Sequence, residues 1–471
     1  MTDLIPVRAV ETIDPAKPIH LTPAQAGGPI HTRSFTGRFR NLRLLGAGLL
    51  FLLFFGTAWI DWNGRQAVLW DLENRQFHIF GATFWPQDFI LLSAILIIAA
   101  FGLFFITVLA GRVWCGYACP QSVWTWIFMR VEQITEGDRG QRIKLDAAPW
   151  SLQKLARRSA KHGLWLAVSV ITAMAFVGYF TPVRQLTSDL LTLEMGATTA
   201  FWVLSFTAAT YINAGWLREK VCRDMCPYSR FQSVMFDSDT LVISYDAARG
   251  ENRGPRRKDA DYKAEGLGDC IDCTMCVQVC PTGIDIRDGL QIECIGCAAC
   301  IDACDAIMDK MNYPRGLISY TTEHNLSGQK THLLRPRLIG YAIALLAMMS
   351  LFSFALYSRP LVKLDVLKDR VLYRENEMGQ IENVYTLKVM NKAQKPQTFV
   401  IEARGLDGLT YSGRSEVQAA AGELVTVPVE LSIAPEKLPS STNEISFHVK
   451  SADDPSVNDD ADSRFIGPSI R

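Results

Sequence analysis

Histidine is scarce in this chain, with seven in 471 residues. His78, His162 and His332 fall in loops or at the edges of apolar runs and form no pairs. A membrane haem b needs axial ligands facing one another across helices, so this spacing argues against haem. No Gly-rich phosphate loop or dinucleotide fingerprint follows a clear strand, which leaves nicotinamide and flavin cofactors unsupported. Basic and acidic residues both number 48, giving a formal net charge of zero. Nothing in that balance points to nucleic acid. The pattern of a cleavable signal is also missing, because the first apolar run starts near Leu42, behind a long polar leader. Finally, no cysteine follows Cys304.

What the chain does have is twelve cysteines crowded upstream of that point. Eight of them form two runs, Cys270-x2-Cys273-x2-Cys276-x3-Cys280-Pro281 and Cys294-x2-Cys297-x2-Cys300-x3-Cys304. This is the spacing of a bacterial two-cluster ferredoxin, in which the fourth cysteine of each run ligates the other cluster. Cys270, Cys273, Cys276 and Cys304 would hold one [4Fe–4S] cube, and Cys294, Cys297, Cys300 and Cys280 the second. Structural zinc prefers two separated Cys-x2-4-Cys pairs and fits this pattern poorly. One departure stands out: Asp305, not proline, follows Cys304.

Apolar runs long enough to cross a membrane surround these motifs. Spans are expected at about 44–60, 89–110, 164–180 and 198–217, forming a membrane core over 41–217 behind a flexible tail, 1–40. The ferredoxin domain follows over 218–336, then a fifth span at 338–357. Trp62, Trp70 and Trp85 fall in the first loop, where tryptophan suits a membrane interface. The basic stretch around Trp150, Leu152 and Leu155 reads as an amphipathic helix lying on a leaflet. Lys and Arg crowd the N-terminus, the second-to-third loop and the ferredoxin segment. The positive-inside rule puts these in the cytoplasm of a bacterial inner membrane and the C-terminus in the periplasm. Thiols stay reduced in the cytoplasm, so metal ligation outranks disulfides. Beyond 362, alternation at Tyr385-Leu387-Val389, Val425–Leu431 and Ile445-Phe447-Val449 predicts a periplasmic β-sandwich of immunoglobulin type over 362–471. His448 reads as a strand residue there.

The other four cysteines make a matched set. Cys115-Gly-Tyr-Ala-Cys119-Pro120 follows the second span and Cys222-Arg-Asp-Met-Cys226-Pro227 the fourth. Gln121-Ser122-Val123 and Gln232-Ser233-Val234 come soon after each, which reads as a repeated helical hairpin. Proline favours the first turn of a helix, placing Cys119 and Cys226 at helix N-termini, where a thiolate is favoured. Four such thiolates suit Cu(I), and zinc would also fit. Buried, inert cysteines at helix ends are the plainer alternative.

Together, the two Cys-x3-Cys-Pro motifs, the double ferredoxin run, the fifth span and the β-rich C-terminus resemble the cytochrome c oxidase accessory family known as CcoG, FixG or RdxA. The resemblance covers nearly the whole chain apart from the N-terminal tail. It implies a membrane-bound oxidoreductase with two [4Fe–4S] clusters that reduces Cu(II) to Cu(I) for assembly of cbb3-type oxidase. Copper would be held by Cys115, Cys119, Cys222 and Cys226. An unidentified donor, copper carriers and the oxidase assembly machinery are the implied partners. Two other classes stand beside it: a quinol-linked subunit of the NapH type, and a copper-binding scaffold without catalysis.

Overall fold

Apolar residues without an opposing polar face form long helices in the computed structural model, which describes residues 30–393 and 395–468. Four helices are long and apolar enough to cross a membrane: Arg38–Trp59, Pro86–Ala110, Leu152–Val177 and Pro336–Tyr357. A fifth span exists if Val183–Thr192 and Ala197–Leu217, bent by 94° at their junction, are taken as one. The protein is therefore a multi-pass membrane protein. The chain divides into two compact units. One comprises 1–55, 99–174 and 196–345, and the other 56–98, 175–195 and 346–471.

The first unit carries every cysteine. Its ferredoxin part has a small core of Ile243, Tyr245, Ile286, Ile301, Met308 and Ile318 packed with Cys270 and Cys276. A two-stranded antiparallel ribbon, Val242–Tyr245 against Ile318–Thr321, closes one side. Asp305 lies inside the helix Ala299–Met311 and accepts a hydrogen bond from Gly316 N at 2.9 Å. A proline there would remove a helical N–H and clash with the preceding turn, which explains its absence. Cys280, by contrast, ends its turn, and Pro281 can follow it.

Three expectations need correction. Residues 30–40 are not a loose tail. Arg33 N donates to Gln278 O at 2.8 Å and Ser34 N to Asp138 Oδ1 at 2.9 Å. Asp302 then accepts from Phe39 N at 3.1 Å and Arg40 N at 2.8 Å, so a ferredoxin carboxylate caps the first long helix. Residues 1–29 of the expected tail lie outside the described residues. The basic amphipathic stretch and the third span are one continuous helix, Leu152–Val177, because no proline lies between them and the lone Gly163 does not end it. The fourth span is α-helical only over Ala197–Tyr211, and Ile212–Leu217 continues as a π-turn.

A buried ion network stiffens the segment after the first Cys-x3-Cys-Pro motif. Glu132, on the helix Pro120–Thr135, pairs with Arg142 at 2.7 Å and Arg218 at 2.5 Å. Arg142 is 1% exposed. Glu132→Ala leaves that guanidinium buried without its carboxylate, and should cost about 3–5 kcal/mol of stability. A fall in the thermal unfolding midpoint of the purified protein checks this.

The second unit holds the β-rich C-terminus. Two antiparallel sheets form it. In one, Leu424–Ile433 lies between Thr410–Gly413 and Ile381–Asn391, with Val362–Lys368 beyond. The other orders Glu416–Ala419, Gln397–Arg404, Thr442–Ser451 and Asn458–Ile466. Leu387 pairs with Val427 and Tyr385 with Val429, so the alternating apolar residues share one face. Tyr385, Phe399, Phe447 and Phe465 are fully buried between the sheets. His448 sits on a strand and binds Asp460 through Nδ1 at 2.7 Å. The first loop is not merely polar and aromatic. It folds a three-stranded sheet, Val68–Asp71, Gln76–Ile79 and Ala82–Phe84, and Trp85 is buried. Asp88 at the start of the second span is held by Arg359 at 2.5 Å and Lys392 at 3.0 Å.

Candidate redox site

The two ferredoxin runs converge in crossed sets. Cys270, Cys273, Cys276 and Cys304 line one small apolar cavity, beside Tyr245 and Arg287. Cys280, Cys294, Cys297 and Cys300 line a second, with Cys276 at its edge. Thr274 and Ala298, each following the second cysteine of its run, adopt the same left-handed conformation, with φ of 56° and 59°. Both runs thus use one local fold to turn into the helices Met275–Gln278 and Ala299–Met311.

The donor set and its spread can be tested against the group it would hold. A tetrahedral ion with ~2.3 Å bonds to sulfur needs its ligands about 3.8 Å apart. Among the described residues, no three cysteine sulfurs all lie within 4.8 Å of one another. The sets are too open for one zinc ion and suit the wider span of an iron–sulfur cube, which all-thiolate ligands also favour. Burial pushes Cys276, Cys294 and Cys304 up to about 12 and raises Cys280 and Cys300 as well. These thiols stay neutral until a metal displaces their protons.

The other four cysteines also gather. Cys222 lies close enough to Cys119, Cys115 and Cys226 that ionising any of them would push its own pKa up. Cys119 directly precedes Pro120–Thr135, and Cys226 directly precedes Pro227–Met235. Each motif is braced by the other. Gln121 Nε2 donates to Asn213 O at 2.9 Å and Arg218 O at 3.1 Å, holding the backbone that leads to Cys222. Gln232, fully buried, donates from Nε2 to Cys115 Sγ at 3.5 Å. The Gln-Ser-Val triplets therefore do different jobs at different distances from their cysteines, and do not mark equivalent positions of a repeat. Burial pushes Cys115 up to about 11 and Cys222 to about 12.

This gathering sits against the second ferredoxin set. A Cβ added to Gly116 would lie 2.6 Å from Gly296 O and 3.0 Å from the Cys297 Cα. Cys222 shares a small cavity with Pro281, Thr282 and Ile295. Arg112, almost fully buried, donates to Cys294 O at 2.6 Å and Ser229 O at 3.3 Å, and also to Ile292 O. It ties the ferredoxin loop to both Cys-x3-Cys-Pro motifs. Arg112 does not stand out in the sequence, because it acts through the fold, and Gln232 shows there only as part of a Gln-Ser-Val triplet, not as a partner of Cys115.

Residues 217–323 match the family described as a 4Fe-4S dicluster domain, and 92–125 the one described as a 4Fe-4S binding domain. Residues 352–468 match the Ig-like fold at the C-terminus of FixG. The nitrogen fixation protein FixG of Rhizobium meliloti is 39% identical over 433 residues, covering 84% of this chain and 82% of the relative. The chain belongs to the FixG/RdxA family. Protein RdxA of Cereibacter sphaeroides is 38% identical over 416 residues, covering 85% of this chain and 86% of the relative. A crystal structure of a FixG-related protein from Vibrio parahaemolyticus is 31% identical, with a TM-score of 0.21, and covers 22% of this chain and 95% of that one. The family and the matched domains give the chain a redox role with iron–sulfur clusters. The expected architecture of apolar helices, ferredoxin domain and C-terminal β-domain is the one found.

Proposed function

We propose that this chain is a membrane-bound cupric reductase that supplies Cu(I) for assembly of cbb3-type cytochrome c oxidase. The observation that carries the reading is the gathering of Cys115, Cys119, Cys222 and Cys226 directly beside the residues lining the second ferredoxin cavity. When bound, the two clusters supply one-electron transfer. The chain's own residues do the rest. The thiols are soft ligands that favour Cu(I) over Cu(II), and a pair of them is enough to hold one Cu(I) ion. Gln232 and Arg112 fix the Cys115 loop, and Gln121 fixes the approach to Cys222. The crowding of Lys and Arg supports placing the N-terminus and the ferredoxin domain in the cytoplasm and the C-terminal domain in the periplasm. Donor, copper carriers and oxidase machinery complete the proposed partners.

The test is anaerobic. Protein reduced with dithionite and freed of it is mixed with Cu(II) and a Cu(I)-selective chelator. One Cu(I) should appear for each electron the protein loses. No Cu(I) above a protein-free control sinks the reading.

Copper binding should also depend on pH. Because burial holds Cys115 and Cys222 protonated at neutral pH, each must release a proton to bind. Apparent Cu(I) affinity should therefore fall as pH falls, by about tenfold per pH unit for each proton released. Competition with a chelator of known affinity between pH 6 and 8 measures the slope.

A second reading has its own support. The match over 92–125 is described as 4Fe-4S binding yet contains only Cys115 and Cys119. Cys222 and Cys226 would complete a third cube. Iron analysis separates the two readings, since a third cube raises the content from about eight to about twelve irons per chain.

A further inference from the structure

Two of the scarce histidines converge. His324, His332 and Asp239 present ligand atoms that all lie within 4.8 Å of one another, and no other trio of His, Cys, Asp or Glu does so among the described residues. Two local devices build the group. Thr322 caps the short turn Glu323–Leu326, and its hydroxyl shares a 2.7 Å hydrogen bond with that of Thr331, folding the segment back on itself. His332 thereby returns beside His324, with perpendicular rings 6.0 Å apart. Asp239 is fixed from the other side, where its N–H donates to Asp237 Oδ1 at 3.1 Å and the neighbouring Thr240 hydroxyl donates to Val108 O at 3.0 Å. Its Oδ1 lies 2.8 Å from His324 Nδ1, accepts from His332 N at 2.8 Å, and stands 3.8 Å from His332 Nδ1.

We propose that Asp239, His324 and His332 form a divalent transition-metal site, and that its occupant is Cu(II). Two imidazoles and a carboxylate are donors of borderline hardness, which suit Cu(II) and Zn(II), whereas thiolates draw Cu(I). The His332 side chain is 69% exposed, so the site opens to solvent as a loading position rather than a closed structural one. It also sits at the right end of the second span. Thr240 and Leu241 hydrogen-bond to the carbonyls of Val108 and Leu109, just before the Cys115 motif. The protein thus has a harder site for the oxidised ion and a softer one for the reduced ion at one end of one helix. Binding takes the place of the His324–Asp239 hydrogen bond. The site stands on its own geometry; the choice of copper as its occupant rests on the reductase reading above.

The test uses full-length protein in detergent with oxidised clusters, in a background with Cys115, Cys119, Cys222 and Cys226 all changed to Ser so that these thiols do not consume Cu(II). One equivalent of Cu(II) should give an EPR signal split by two nitrogen ligands. His324→Gln with His332→Gln should abolish the splitting and weaken binding at least tenfold, with iron content unchanged. Equal affinity and an equal spectrum in that variant overturn the proposal. If the serine background fails to load iron, bound Zn(II) is compared between wild type and the double glutamine variant, and equal binding again overturns it. Copper that binds here but is not reduced by the reduced wild-type protein would instead overturn the reductase reading and leave the site standing.

Discussion

Protein carrying Cys115→Ser and Cys119→Ser, loaded with its full complement of iron, is expected to reduce Cu(II) at no more than about a hundredth of the wild-type rate. Serine keeps nearly the same volume, so packing around the loop survives and Gln232 still has an oxygen to meet. What disappears is the soft donor. A neutral hydroxyl holds Cu(I) poorly, and only the Cys222 and Cys226 thiols remain to offer a soft donor. The eight ferredoxin cysteines are untouched, so iron content and the EPR of the reduced clusters should match wild type. That pairing of readouts separates loss of the copper site from general misfolding. An unchanged reduction rate with intact clusters would remove these cysteines from the mechanism.

Gly116→Ala should be nearly as damaging without touching any ligand. The added methyl would sit 2.6 Å from Gly296 O, a contact no real side chain tolerates, and the obstacle is backbone on both sides. Gly296 has φ of 65°, and a Cβ there would meet the Arg112 carbonyl at 2.9 Å, so that loop has little room to retreat. The Cys115 motif must move away from the Cys294–Cys297 loop. A displacement of about 1 Å can cost on the order of 100-fold where two centres must be held in register. We expect a 10- to 100-fold fall in copper reduction with iron near eight per chain and Cu(I) affinity within a few-fold of wild type, again as order-of-magnitude figures. Wild-type turnover would show that the close approach of the two loops has no bearing on rate.

How much of this could be read from the chain alone depends on how local each feature is. The crossed cysteine sets were legible because three of the four in each come from one tight loop, so their spacing encodes their geometry. The β-domain was legible because its strands alternate cleanly between a buried and an exposed face. The matched Cys-x3-Cys-Pro motifs were visible, but their closeness to the second ferredoxin set was not, since it depends on backbone contact between Gly116 and Gly296. The His324–His332–Asp239 group stayed hidden because its parts are separated in sequence and joined by a threonine-closed turn. The small sheet over 68–84 was masked by short strands rich in aromatic residues. The continuity of Leu152–Val177 was missed because its first turns are basic and its last apolar, a change of composition that does not interrupt helix geometry.

Asp302, which caps the first long helix, has a consequence for how the protein is made. The carboxylate and the backbone N–H of Phe39 are 263 residues apart in the chain. At a ribosomal pace of about 5–20 residues per second, the first helix emerges roughly 10–50 s before the group that will neutralise its N-terminal end. It must enter the bilayer with those amides satisfied by water, and exchange water for Asp302 only after the second ferredoxin run has folded. Since Asp302 lies between Cys300 and Cys304, cofactor loading and the final seating of the first helix become one late event in biogenesis.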